Sequence, residues 1–239
     1  MQKQKGILVL GTDTDVGKTY VSCRIIESLV QSGIAVGAYK PVASGALSPE
    51  RSDASLLWNA SGKRGSLGLV NPQSFTAALA PPMAAEMEGK AVDESLLMQG
   101  FHAWATQCEF LVAEGAGGLM SPISWEITNA DFAASIKLPI VLVAANRIGV
   151  VNQVLTTLAA SKALGLHVRC VVLNDTPDSK SDDCSRASNA RLLNAFLAKQ
   201  SSSPTLTCMT RDGKAFQPDL SWDRIDCTDF AGSHMSGPH

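Results

Sequence analysis

The run Ile7-Leu8-Val9-Leu10 leads directly into Gly11-Thr12-Asp13-Thr14-Asp15-Val16-Gly17-Lys18-Thr19. Four consecutive large apolar residues without alternation read as a strand covered on both faces, the situation of a parallel sheet packed between helices. A glycine-rich turn that follows such a strand and closes with Gly-Lys-Thr at a helix start is an arrangement that holds nucleotide phosphates. Loop N–H groups and the positive end of the helix dipole face the anion. Lys18 can reach the outer phosphates as a point charge, and the Thr19 hydroxyl can ligate Mg²⁺. Five residues separate Gly11 from Gly17, where the common pattern has four, so the loop is a longer variant with an extra polar side chain at its tip. This one segment points to an α/β fold and a nucleotide site.

The rest of the composition narrows the function further. With 239 residues and a formal net charge of −2, the chain is long enough for one α/β domain, and no basic stripe marks a nucleic-acid surface. No apolar run reaches the length of a membrane span, and Met1-Gln2-Lys3-Gln4-Lys5 enters a strand without the apolar segment of a secretory signal. The six cysteines form no C-x-x-C pair and no zinc-like spacing, which fits a reducing cytoplasm.

Apolar runs recur with helical stretches between them, as in successive βαβ units. The pattern predicts strands at 6–11, 35–39, 110–114, 140–145 and 168–173, and helices at 17–32, 53–60, 94–107, 131–136, 151–164 and 183–199. Val21, Ile25, Ile26 and Leu29 share one face of the first helix, while Gly33 and Gly165 serve as helix stops. Residues 67–82, with Asn71-Pro72 and Pro81-Pro82, read as a long irregular loop. Gln200-Ser201-Ser202-Ser203-Pro204 reads as a connector and 231–239 as a mobile end, in which Gly232-Ser233-His234-Met235 looks like a cloning remnant.

In open parallel sheets ligands bind at the carboxyl ends of the strands. The segments that follow the strands here carry nearly all the polar and glycine-rich motifs. Lys40-Pro41-Val42-Ala43-Ser44-Gly45 puts a cation and a hydroxyl at the end of the second strand. Glu114-Gly115-Ala116-Gly117-Gly118 puts a carboxylate where a Mg²⁺ ligand belongs, followed by backbone that a ligand can approach closely. Asp53 is either a second metal ligand or, with Ser52, the cap of the helix that follows. Gly149-Val150-Val151-Asn152 offers free N–H groups at a helix start, suited to a carboxylate or phosphate, or is a plain turn. The amide of Asn174 can donate and accept toward an adenine edge; Asp175 is a ligand contact or a turn residue.

Taken together, these motifs resemble the dethiobiotin synthetase family. The matching stretches are 11–19, 39–45, 51–54, 112–119 with Ser121-Pro122, Leu138-Pro139, 149–152 and Asn174-Asp175, in family order over about three quarters of the chain. The resemblance implies a three-layer P-loop NTPase fold, a mostly parallel sheet flanked by helices on both faces. It also implies a synthetase domain over residues 1–200 and a C-terminal segment over 201–239 that partly lines the nucleotide pocket. The implied reaction is ATP-dependent: one amine of 7,8-diaminononanoate captures CO₂ as a carbamate, the carbamate oxygen takes the γ-phosphoryl group, and the second amine closes a cyclic urea and expels phosphate.

The implied residues follow position by position. Lys40, Lys18, Thr14 and Ser44 are the catalytic set, and Mg²⁺ sits on Thr19, Asp53 and Glu114. ATP contacts come from Asp15, Val16, Gly17, Lys18, Thr19, Tyr20, Asp53, Glu114, Gly115, Ala116, Gly117, Asn174 and Asp175. Substrate contacts come from Thr14, Lys40, Ser44, Gly117, Gly149, Val150, Val151 and Asn152, the last four across a homodimer interface. Small molecules are the partners, with no nucleic acid and no membrane. Asp15 stands where many relatives have Glu, and Thr207-Cys208-Met209-Thr210 does not match the Gly-x-Ile-Pro segment that packs on adenine in relatives. The competing readings are a related synthetase of cobalamin-type pathways and a non-catalytic ATP sensor.

Overall fold

A computed structural model describes residues 4–46, 48, 52–176, 183–199 and 203–210. Its centre is the strand β1 (Gly6–Gly11), every residue of which is buried. Burial on both faces removes any alternation from the sequence and leaves the apolar run that announced the strand. β1 lies between β5 (Phe110–Gly118) and β6 (Ile140–Ala145), with β2 (Val36–Tyr39) outside β5 and β7 (Val168–Asn174) outside β6. A further strand, β8 (Thr205–Met209), completes the order β2-β5-β1-β6-β7-β8. All five pairings in this sheet are parallel. A parallel neighbour needs a crossover, so each strand end meets a loop on the same rim.

The helices are α1 (Lys18–Gln31), α2 (Asp53–Ala60), α3 (Leu67–Val70), α4 (Pro81–Met87), α5 (Glu94–Ala103), α6 (Asn129–Ile136), α7 (Val150–Ala163) and α8 (Ser185–Leu197). The apolar face of α1 is buried at Val21, Ile25, Ile26 and Leu29, as its spacing required. Gly33 and Gly165 both take positive φ just past a helix end, the left-handed stop that an L side chain resists.

Three sequence expectations change. The helix predicted over 94–107 ends at Ala103 and continues as a 3₁₀ turn, Trp104–Thr106. The loop predicted over 67–82 holds α3, the start of α4 and a two-residue strand β4 (Ser74–Phe75), which pairs with β3 (Ala43–Ser44). Pro81 and Pro82 there begin a helix, because the first turn needs no N–H from them. The C-terminal stretch, where the pattern predicts no strand, holds the edge strand β8, on which Thr207, Cys208 and Met209 lie. The described part of the C-terminal segment therefore extends the central sheet. The mobile end at 231–239 and the first residues of the connector at 200–202 lie outside the described residues.

Candidate active site

The ends of β1, β2 and β5 converge because β5 separates β2 from β1 in the sheet. The Lys40 ammonium, just past β2, donates to Glu114 Oε1 on β5 at 2.7 Å and to the Gly115 carbonyl at 3.3 Å. It also meets Asp53 Oδ2, on the first turn of α2, at 3.2 Å. Glu114 is fully buried and Lys40 is 3% exposed. Two hydroxyls of α1 complete the carboxylate's environment: Thr19 Oγ1 donates to Oε1 at 2.8 Å and Ser22 Oγ to Oε2 at 2.6 Å. Sequence reading missed Ser22, although its position three residues after Thr19 puts both hydroxyls on one helix face.

Electrostatics follow from this packing. Burial alone would lower the Lys40 pKa, but the carboxylates of Glu114 and Asp53 outweigh it and hold the amine above its ordinary value. Burial would raise the Asp53 carboxyl, and the Lys40 charge beside it wins, leaving it below the usual range. Both groups thus stay charged across neutral pH. Lys18 differs: burial first, then repulsion from Lys40, lowers its pKa. The Lys18 amine donates to the carbonyl of Asp13 at 3.1 Å, folded back over its own loop.

The loop between β1 and α1 has the strain expected of an anion cradle. Gly17 takes φ 84°, and Asp15 takes φ 56° without being glycine. A Cβ on Gly17 would lie 2.1 Å from Nδ2 of Asn174. No side chain caps α1, and no acidic residue stands in its first turn. The same holds for α7, which starts after Gly149 at φ 90°. By contrast, Ser52, Ser66, Asp93 and Thr128 cap α2, α3, α5 and α6 with their own oxygens. Ser52 therefore takes the capping role that was open between it and Asp53, and the Asp53 carboxylate is left to the lysine. Val16 is buried beneath the loop, while Thr14 and Tyr20 are exposed. Thr14 Oγ1 lies 3.8 Å from the Cβ position of Gly117, so loop and glycine stretch face each other.

Other predicted residues are placed differently. The Ser44 hydroxyl donates to the Leu79 carbonyl at 2.6 Å rather than pointing toward Lys40. Asn174 donates through Nδ2 to the Val16 carbonyl at 3.0 Å, and its buried Oδ1 has no partner among the described residues. The accepting Oδ1 of that amide and one N–H of Nδ2 are not used by this bond. The carboxylate of Asp175 is ion-paired to Arg186 of α8 and accepts from Asn146 at 3.1 Å, a tie between strand ends and α8 instead of an open ligand contact. Gly149 and Asn152 are exposed, Val150 is buried and Val151 is partly so. The Val150 N–H donates to the Arg147 carbonyl at 3.1 Å, so at the uncapped start of α7 it is not available to a ligand.

Thr19, Asp53 and Glu114 present only oxygen donors, gathered about a point where a cation, the Lys40 ammonium, already sits. That donor set fits a hard ion such as Mg²⁺. Among the described residues no group of three or more His, Cys, Asp or Glu gathers as a metal site, so a metal here depends on the hydroxyl and on phosphate oxygens.

A fully parallel sheet with a glycine-rich loop from its central strand into an uncapped helix, carrying Lys18 and Thr19, defines a P-loop NTPase. A solved structure of the signal recognition particle receptor FtsY from Elizabethkingia anophelis shares the fold, with a TM-score of 0.51 at 15% identity; the match covers 91% of this chain and 63% of that one. Residues 5–208 match the family described as AAA domain. The protein named ATP-dependent dethiobiotin synthetase BioD from Akkermansia muciniphila is 40% identical over 180 residues, 75% of this chain and 83% of that protein. The protein of the same name from Anaeromyxobacter dehalogenans is 38% identical over 190 residues, covering 79% and 85%. That from Caulobacter vibrioides is 36% identical over 183 residues, covering 75% and 84%. The chain belongs to the ATP-dependent dethiobiotin synthetase family.

Proposed function

We propose that this protein is an ATP-dependent dethiobiotin synthetase, a ligase of biotin synthesis that closes a cyclic urea on 7,8-diaminononanoate with CO₂ and releases ADP and phosphate. The observation that carries the reading, beside the family match, is the meeting of Lys40 with Glu114 at 2.7 Å and Asp53 at 3.2 Å, where Thr19 of the phosphate-loop helix donates to the same Glu114 oxygen. Phosphoryl transfer leaves a protein mainly positioning and charge stabilisation to perform. Lys18 has only a backbone carbonyl to leave when it turns to the terminal phosphate. Lys40, held between Glu114 and Asp53, would meet the carbamate, which carries the negative charge that attacks. Thr14 and the N–H groups of the 115–117 stretch orient the diamine between them.

Thr19, Asp53 and Glu114 would hold Mg²⁺. The ion supplies neutralisation of the phosphate oxygens when bound. Asn174, held by the Val16 carbonyl with its buried Oδ1 unpartnered among the described residues, accepts from the exocyclic amine of adenine. The helix start at 149–152 receives the substrate carboxylate. In the homodimer the family resemblance implies, this terminus would serve the partner's site. No helix among the described residues is long and apolar enough to cross a membrane. Cys23, Cys108, Cys170, Cys184 and Cys208 are free thiols, which suits a cytoplasmic enzyme.

Phosphate release from ATP, measured with and without 7,8-diaminononanoate and bicarbonate, tests the reaction. Release that requires both additions is the expected result. Release that ignores them, or ATP binding without turnover, rejects the synthetase reading. The metal assignment has its own check. Glu114→Gln keeps the side-chain shape and removes a charge from the ligand set. It raises the Mg²⁺ concentration for half-maximal phosphate release by on the order of tenfold, equivalent to about 1.4 kcal/mol. An unchanged metal titration removes Glu114 from the set.

A further inference from the structure

The stretch that follows Glu114 is held from below by a side chain with no assigned role. Asn129, the first residue of α6, is fully buried. Its Nδ2 donates to the carbonyls of Ala116 at 2.7 Å and Gly118 at 2.8 Å, bridging Gly117 with its φ of 80°. Its Oδ1 lies 2.5 Å from where a Cβ of residue 115 would sit, so only glycine fits above it. Ser121 takes the other side: its Oγ accepts from the Gly118 N–H at 2.8 Å, and its carbonyl accepts from the Asn129 N–H at 3.0 Å. Asn129 is itself fixed, because Thr128 and Asp131 form a reciprocal capping box at the start of α6. The clamped carbonyls follow directly on the Gly115 carbonyl that receives Lys40.

We propose that Asn129 is a positioning residue for Lys40, acting through the backbone of residues 115–118 with Ser121 as its second hold. A carboxamide is suited to the task because one NH₂ group reaches two carbonyls at once, which a hydroxyl or carboxylate cannot do. Misplacing a reacting group by about 1 Å costs on the order of 10²-fold in rate, so a clamp two bonds removed from the lysine has a kinetic signature. The inference rests on the synthetase reading for its kinetic arm and is independent of it in its chemical-labelling arm.

Asn129→Asp retains the side-chain volume and deletes both donors. Three quantities are measured on the full-length protein: kcat, the Kd for ADP, and acetic-anhydride labelling of Lys40 and Lys18 by mass spectrometry. The expected result is a kcat at least tenfold lower, an ADP Kd within twofold, and Lys40 labelled several-fold faster with Lys18 unchanged. A kcat within twofold of the parent protein, or equal acceleration at both lysines, overturns the proposal, since general loosening would expose both. If Asn129→Asp does not fold, Ser121→Ala decides: it removes only the half-buried hydroxyl. A several-fold loss in kcat with faster Lys40 labelling supports the clamp, and no change in either rejects it. If the parent protein forms no dethiobiotin, the functional reading fails and the labelling comparison still decides.

Discussion

Lys40→Gln is expected to lower phosphate release by about 10²–10³-fold, the range for removing one preorganised charge from a transition state. ATP and ADP binding are spared, because the phosphate loop and Lys18 are untouched; calorimetry with ADP provides that control. The substitution also has a cost in stability. Glu114 is fully buried, and its attraction to Lys40 is what compensates its desolvation. With the ammonium gone, the hydroxyls of Thr19 and Ser22 remain as donors, so the loss is about 3 kcal/mol, the low end for an unpaired buried charge. In a protein of this size that lowers the thermal midpoint by on the order of 10 °C. Parental turnover in this variant would exclude Lys40 from the chemistry. A parental midpoint with lost turnover would confine its role to the reaction.

The second large effect belongs to Gly17→Ala. An alanine at φ 84° costs about 1–2 kcal/mol in backbone strain. Its methyl group would also sit 2.1 Å from Nδ2 of Asn174, forcing that amide off the Val16 carbonyl. ADP affinity should fall by at least about 30-fold, equivalent to some 2 kcal/mol. Gly33→Ala supplies the comparison. It has the same φ of 84°, but nothing lies within 4 Å of its Cβ position. Strain alone remains there, so stability drops by about 1 kcal/mol while ADP affinity stays at the parental value. Equal affinity losses in the two variants would show that the contact with Asn174 is irrelevant to nucleotide binding.

The contrast between those glycines illustrates what a sequence can express. Local chemistry was legible: the burial of β1, the face of α1, the stops at Gly33 and Gly165, and the loop that ends at Lys18 and Thr19 all depend on neighbours within a few residues. The strand order was not. Lys40 and Glu114 are 74 positions apart, and they meet only because β5 lies between β2 and β1. Motif content placed both at strand ends on one rim without indicating which ends adjoin. Ser22 and Asn129 escaped notice for a related reason: each is an ordinary polar residue in a helix, and its partner is set by tertiary packing. Ser44 and Asp175 show the same limit: motif position could not reveal that the Leu79 carbonyl and Arg186, supplied by other parts of the chain, partner their polar atoms.

The buried pairing of Lys40 with Glu114 has an evolutionary corollary. A descendant that loses only one of these charges leaves the other stranded in the interior and is weakened as well as inactive. Replacing both together by apolar residues of similar volume can restore the lost robustness. Drift toward an inert nucleotide carrier therefore has to cross a valley of unstable single mutants, and the scaffold guards its chemistry through its own folding.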